Sequence, residues 1–192
     1  AFQHRKVVPT YSILLSEYSN LYFNDYLLPR GNLRESKKGY KRADSIIITK
    51  CPQNLTKNDK VNLKDKINLK TNQSIFFSKI KYSERLYSND DSINILKLLN
   101  QKVNVVTGIV NSQVLIKYLE DINIDVQHFK YPDHYDYKEN DIQKFKHNIT
   151  ITTEKDYAKL RKFNIENLYY LPISFDVDER EYLIKTIEMK IK

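Results

Sequence analysis

The sequence runs to 192 residues, 41 % of them apolar and 29 % charged, with a formal net charge of +8, a length that suits one large domain or two small ones. Its longest apolar runs, such as Ile46-Ile47-Ile48, fall far short of the ~20 residues a bilayer crossing needs, which excludes a membrane-spanning helix. The single cysteine, Cys51, excludes an internal disulfide framework and a multi-cysteine zinc site, and it fits a reducing compartment and a cytoplasmic protein.

The opening Ala1-Phe2-Gln3-His4-Arg5 has neither an initiating Met nor the charged, apolar and small-residue order of a secretory leader, so the chain is read as processed or as a fragment. Positive charge comes first. Residues 1–42 hold eight cations (Arg5, Lys6, Arg30, Arg34, Lys37, Lys38, Lys41 and Arg42) against three acids (Glu17, Asp25 and Glu35). Such an end suits phosphates, an anionic lipid or nucleic acid; the plainer reading makes lysine the default surface residue of this sequence.

Short β-branched runs alternate with longer amphipathic ones, the pattern of strands joined by crossover helices and hence of an α/β fold. Tyr11 to Ser16 reads as a buried strand and Ser45 to Lys50 as another. Between them Leu27-Leu28-Pro29-Arg30-Gly31-Asn32 breaks any regular element and leaves backbone and side chains available to a ligand. Gln53 to Asn72 is polar and reads as a short surface helix with its connection, Ser74 to Lys81 as a strand, and the polar stretch Tyr82 to Ser92 as a boundary. Val103 to Thr107, the turn at Gly108, the helix Ser112 to Asp121 and the strand Asp125 to Lys130 make a βαβ unit. Ile149 to Thr152 and Asn167 to Leu171 supply two further strands with the helix Glu154 to Lys162 between them, and Val177 to Ile191 closes the chain as an amphipathic helix.

Four groups of residues carry possible chemistry. Gln3-His4-Arg5 suits phosphate oxygens through charge-assisted hydrogen bonds, although a terminal His is often incidental. In Arg34-Glu35, adjacent opposite charges cannot both face one way, so one meets a phosphate and the other a metal or a cation, unless the pair merely caps a helix after Ser36. Tyr131-Pro132-Asp133-His134-Tyr135-Asp136-Tyr137 follows a strand where α/β proteins keep active groups, and a His beside a carboxylate can act as base or orienter; a packed aromatic corner is the rival reading. Thr152-Thr153-Glu154-Lys155-Asp156 reads as a helix start, with Thr153 as cap and Glu154 and Asp156 on the positive end. No GxxxxGK[ST] segment and no metal-spaced His and Cys cluster occurs.

Taken together and in order, these segments resemble the tetraacyldisaccharide 4'-kinase family. Ala1-Phe2-Gln3-His4-Arg5 matches the end of the family's Asp-Asp-Gly-Phe-Gln-His-Arg with Ala in the Gly position. Leu27-Leu28-Pro29-Arg30-Gly31-Asn32-Leu33-Arg34-Glu35 matches its Leu-Leu-Pro-x-Gly-x-Leu-Arg-Glu, and Arg42-Ala43-Asp44 continues in register. Gly108-Ile109 with Asn111, Pro132-Asp133-His134, and Thr153-Glu154-Lys155-Asp156 with Lys159-Leu160 complete the set. One departure is Gly108-Ile109-Val110-Asn111-Ser112, where the family has Gly-Ile-Gly-x-Pro. The P-loop, the catalytic Asp and the membrane-associating helix of the family have no counterpart here, so the resemblance covers the C-terminal half.

The resemblance implies a P-loop NTPase-like three-layer sheet, in its latter part, over residues 1–81, a connection over 82–102, and a smaller α/β domain over 103–192. It implies phosphoryl transfer from ATP, with Mg2+, to the 4'-hydroxyl of the lipid A disaccharide 1-phosphate precursor, at the cytoplasmic face of the bacterial inner membrane and peripheral to it. Arg34, Gln3 and His4 would bind nucleotide, Glu35 would hold the metal, and His134 would serve catalysis by orienting the missing Asp. Thr49-Lys50-Cys51-Pro52 would border adenine, and the isolated chain would be inactive. The rivals are a basic nucleic-acid-binding module, weakened by lysines spread through the sequence, and a non-catalytic scaffold domain; no nucleic acid partner is expected.

Overall fold

Side-chain alternation decides how the first sheet is covered. In this computed structural model, which describes residues 6–191, the elements are β1 (Ile13–Glu17), β2 (Ser45–Thr49), α1 (Lys57–Ile67), β3 (Ser74–Tyr82), β4 (Arg85–Tyr87), β5 (Ser92–Asn94), β6 (Lys102–Thr107), α2 (Gln113–Asp121), β7 (Asp125–Lys130), α3 (Glu139–Ile142), β8 (Thr150–Thr152), α4 (Glu154–Leu160), β9 (Leu168–Tyr170), β10 (Ile173–Val177) and α5 (Arg180–Ile191). One sheet has the order β1-β2-β3-β10, with β1, β2 and β3 parallel. Because successive strand residues point to opposite faces, Ile46, Ile48, Ile75 and Phe77 pack with Leu63 and Ile67 of α1, while Ile47 and Phe76 pack with Leu183 of α5. A helix on each face gives three layers. Thr56 starts α1 with a capping box to Asp59, and Asn68 ends it in the left-handed region.

Two expectations change here. Tyr11 to Ser16 was expected as a buried strand, yet β1 lies at the sheet edge and only Ser16 of it is buried, with Leu15 63 % exposed. The stretch Val177 to Ile191, expected to finish the second domain, divides at Asp178 and Glu179: β10 joins the first sheet and α5 covers its face. Salt bridges from Lys190 to Asp44 and from Lys60 to Asp178 fix that return. The first unit is therefore residues up to 81 plus residues from 175 onward.

The second unit is Tyr82–Ser174, built on the strand order β5-β4-β9-β8-β6-β7. The pairs β6–β7, β6–β8 and β8–β9 are parallel, while β4 runs antiparallel to β5 and β9. Val103 and Val105 face Leu115, Ile116 and Leu119 of α2; on the other face Val106 packs with Phe145, Tyr157 and Leu160. The polar stretch expected as a connection over 82–102 thus supplies two strands. Its hairpin turns on Ser88 and Asp91, and within β4 only Leu86 is buried, so little apolar alternation marks it.

Candidate functional site

In the first unit the loop between β1 and β2 is built around a carboxylate. Asp25 Oδ1 accepts the backbone N–H groups of Tyr26 at 2.7 Å and Asn32 at 3.2 Å, and these bonds, Tyr26 first, hold the Asp25 carboxyl below its ordinary pKa. Leu28 N–H donates to Leu33 O and Leu33 N–H to Tyr26 O, both at 3.0 Å, closing the loop on itself. A Cβ at Gly31 would lie 2.3 Å from Asp25 Oδ1 and 2.4 Å from Tyr26 O, so only glycine fits where the backbone passes so close.

This folding sorts the arginines. Arg30 stacks its guanidinium 4.3 Å from the Tyr26 ring centroid, a cation–π contact that occupies it. Arg42 reaches Glu35 at 2.5 Å. Arg34 is exposed, and its side chain has no hydrogen bond or ion pair among the described residues. Arg34 lines a cleft of about 220 Å³ together with Leu14, Tyr22, Leu33, Glu35, Lys37 and Tyr40. The Tyr22 and Tyr40 rings lie 5.7 Å apart, and burial pushes the Tyr22 phenol pKa upward. An aromatic wall with an uncommitted guanidinium beside it suits a planar base or an anion.

The expected helix cap is present, but Glu35 plays no part in it. Ser36 Oγ accepts from Lys38 N–H at the start of the short 3-10 turn Lys37–Arg42. Thr49-Lys50-Cys51-Pro52 does not line this cleft: Lys50 Nζ pairs with Glu17 at 2.8 Å and Cys51 is buried in the core. Gln3 and His4 lie outside the described residues.

In the second unit, the segment after β7 is both an aromatic corner and a presented imidazole. The rings of Tyr131, Tyr135 and Tyr137 meet at centroid distances of 4.8, 5.1 and 5.4 Å, and Tyr137 is buried. On that base the turn closes by Tyr135 N–H donating to Pro132 O at 3.2 Å, and His134 takes φ 61°, an uncommon conformation for a residue with a Cβ. Its side chain is 76 % exposed. Asp133 Oδ1 accepts His134 N–H at 3.1 Å and the Lys155 ammonium at 2.8 Å, while Asp133 Oδ2 lies 3.6 Å from His134 Nε2. The Lys155 contact, first among several, lowers the Asp133 pKa.

Thr153 caps α4 as expected, accepting from Asp156 N–H, but Asp156 does more than favour the helix dipole. Its buried Oδ2 accepts Gly108 N–H at 2.9 Å and Thr153 Oγ at 2.8 Å, joining the turn after β6 to the start of α4. Burial and the nearby Asp156 charge push the Tyr137 pKa upward. Sequence reading missed Arg42 and Lys155 as partners of the two candidate sites. The signals were weak: Arg42 lies seven residues beyond Glu35 in sequence, and Lys155 stands within a motif already explained by capping.

The family model described as tetraacyldisaccharide-1-P 4'-kinase matches residues 1–192. A tetraacyldisaccharide 4'-kinase of Flavobacterium johnsoniae is 35 % identical over 98 % of this chain and 59 % of its own length; those of Flavobacterium psychrophilum and Parabacteroides distasonis are 38 % and 36 % identical, with 52 % and 59 % of their lengths covered. The chain thus spans about half the length of the curated relatives it matches. The crystal structure of the "apo" form of LpxK from Aquifex aeolicus in complex with ATP superposes with a TM-score of 0.71 at 27 % identity, covering all of this chain and 56 % of that one. The likeness agrees with the α/β, P-loop kinase-like fold class read from the sequence.

Proposed function

The chain belongs to the tetraacyldisaccharide-1-P 4'-kinase family, and from that premise we propose that it is the C-terminal part of an enzyme that moves the γ-phosphoryl group of ATP to the 4'-hydroxyl of a lipid A disaccharide 1-phosphate precursor. The observation that carries this reading is Arg34: among Arg30, Arg34 and Arg42, it alone has no partner among the described residues, and it stands at an aromatic-walled cleft. In phosphoryl transfer the protein mainly positions groups and stabilises charge. Arg34 steadies the polyphosphate, with Gln3 and His4 as further nucleotide contacts. His134, held at the tip of a turn braced by three tyrosine rings, orients the acceptor-activating Asp that the family resemblance implies, and the isolated chain transfers no phosphate.

Magnesium accompanies ATP in this reading, yet the described residues do not make a cage for it. No group of three His, Cys, Asp or Glu side chains gathers among them, and Glu35 is already paired with Arg42. No helix among the described residues is long and apolar enough to cross a membrane. Peripheral attachment to the cytoplasmic face of the inner membrane is supported by the early excess of cations and by exposed Val7, Val8, Leu27 and Leu28 beside it.

The test is transfer of labelled γ-phosphate to a tetraacyldisaccharide 1-phosphate by the full-length enzyme that contains this chain. ATP-dependent product is expected. Absence of product, together with salt-sensitive binding of an oligonucleotide that ATP does not displace, would favour the nucleic-acid module instead.

A further inference from the structure

The residue after Arg34 raises an electrostatic problem. A bare carboxylate at the cleft that Arg34 lines would repel the anion Arg34 is there to attract. Glu35 Oε1 instead lies 2.5 Å from the Arg42 guanidinium, with the Glu35 and Arg42 side chains 21 % and 39 % exposed. The glycine between them is shaped by this contact. Gly39 is buried and does not have positive φ, so its backbone conformation would accept a side chain. A Cβ there would meet Glu35 Oε1 at 2.7 Å, Glu35 Cδ at 2.9 Å and Arg42 Nη1 at 3.3 Å. Space for the carboxylate, and not chain flexibility, is what glycine provides at this position.

From these contacts, and resting on the reading of the cleft as an ATP site, we propose that Glu35 is not a magnesium ligand but half of a charge clamp, closed by Arg42 over Gly39, that neutralises the carboxylate beside Arg34. Arg42 and Glu35 are positioning residues; Arg34 is the group that touches the anion. Magnesium takes oxygen ligands in near-octahedral geometry, commonly one or two carboxylates with substrate phosphates. A carboxylate held by a charge-assisted bond to a guanidinium must surrender that bond to join such a shell. The clamp also explains why Arg34 stays available: the nearest acid in sequence already has a cationic partner.

The two roles separate in steady-state kinetics of the full-length enzyme, with ATP and Mg2+ varied independently. Arg42→Ala removes the guanidinium from Glu35 and is expected to raise KM for ATP roughly twofold to fivefold, the scale of one partly exposed pair, with kcat changed by less than about twofold. Glu35→Gln in that background restores most of the loss, Arg42→Lys restores part of it, and the Mg2+ concentration for half-maximal rate stays put throughout. Gly39→Ala, which the flexible Glu35 side chain accommodates only by leaving Arg42, reproduces the Arg42→Ala phenotype.

The proposal is overturned if Glu35→Gln alone raises the Mg2+ requirement about tenfold or more, if the double variant is as impaired as Arg42→Ala, or if Arg42→Ala matches wild type. A wild-type enzyme without kinase activity would sink the functional reading instead. Thermal unfolding then reads the clamp: coupled losses across the Glu35→Gln, Arg42→Ala and double variants sustain it, and additive losses overturn it.

Discussion

At the scale of single residues, the two candidate sites depend on residues locked by close contacts and on residues presented to solvent. Gly31 belongs to the first kind. Gly31→Ala places a Cβ against Asp25 and the Tyr26 backbone, and we expect a loss of about 1–3 kcal/mol in urea unfolding, the range of an overpacked position. His134 belongs to the second kind, and His134→Ala is expected to lower kcat about a hundredfold with little change in KM for ATP, read from initial rates. Asp133 gives a pH test. Its pKa is lowered in the folded state, chiefly by Lys155, so the stability it contributes is complete above the ordinary carboxylate value near 4 and is lost as pH falls through the lowered one. Lys155→Met should therefore lower the melting temperature at pH 6 and converge with wild type under strongly acidic conditions. A constant gap across that range would count against the pairing.

At the scale of elements, buried contacts decide what the sequence revealed. Strands β2, β3 and β6 were legible because β-branched and aromatic residues are concentrated there, β7 because it closes a βαβ unit, and the helices because an apolar face marks α2 and a threonine cap marks α4. Strands β4, β5 and β10 were not. All three are mostly exposed or half-buried, and each is specified by the edge of the sheet it joins more than by its own residues. The candidate-site motifs were read in order, but their supports were not: Asp156 looked like an ordinary first-turn acid although it bonds Gly108 48 positions away. Asp156→Ala leaves that buried N–H without its acceptor and should cost about 1–3 kcal/mol. Thr153→Ala, which removes the cap, should cost about 0.5–2 kcal/mol, with both losses read by denaturant unfolding of the full-length protein.

At the scale of the whole molecule, the chain passes from the first unit to the second and returns, so that α5, at the far end of the sequence, covers the sheet begun by β1. That return was invisible in the sequence because a closing amphipathic helix fits any open sheet face. The net charge of +8 and the match over the whole chain to a kinase family are consistent with the anionic substrate proposed above, and Arg34 is the arginine that the cleft of the first unit holds with no partner among the described residues. The most direct measurement is the affinity of the full-length enzyme for ATP, by calorimetric titration, in Arg34→Ala beside Arg30→Ala. The prediction is a loss of roughly tenfold or more for Arg34→Ala, since a charge-assisted contact contributes about 1.5–3 kcal/mol, and a change of less than about threefold for Arg30→Ala, whose guanidinium lies on Tyr26. Equal losses, or a larger one for Arg30→Ala, would contradict the assignment of this loop as the nucleotide site.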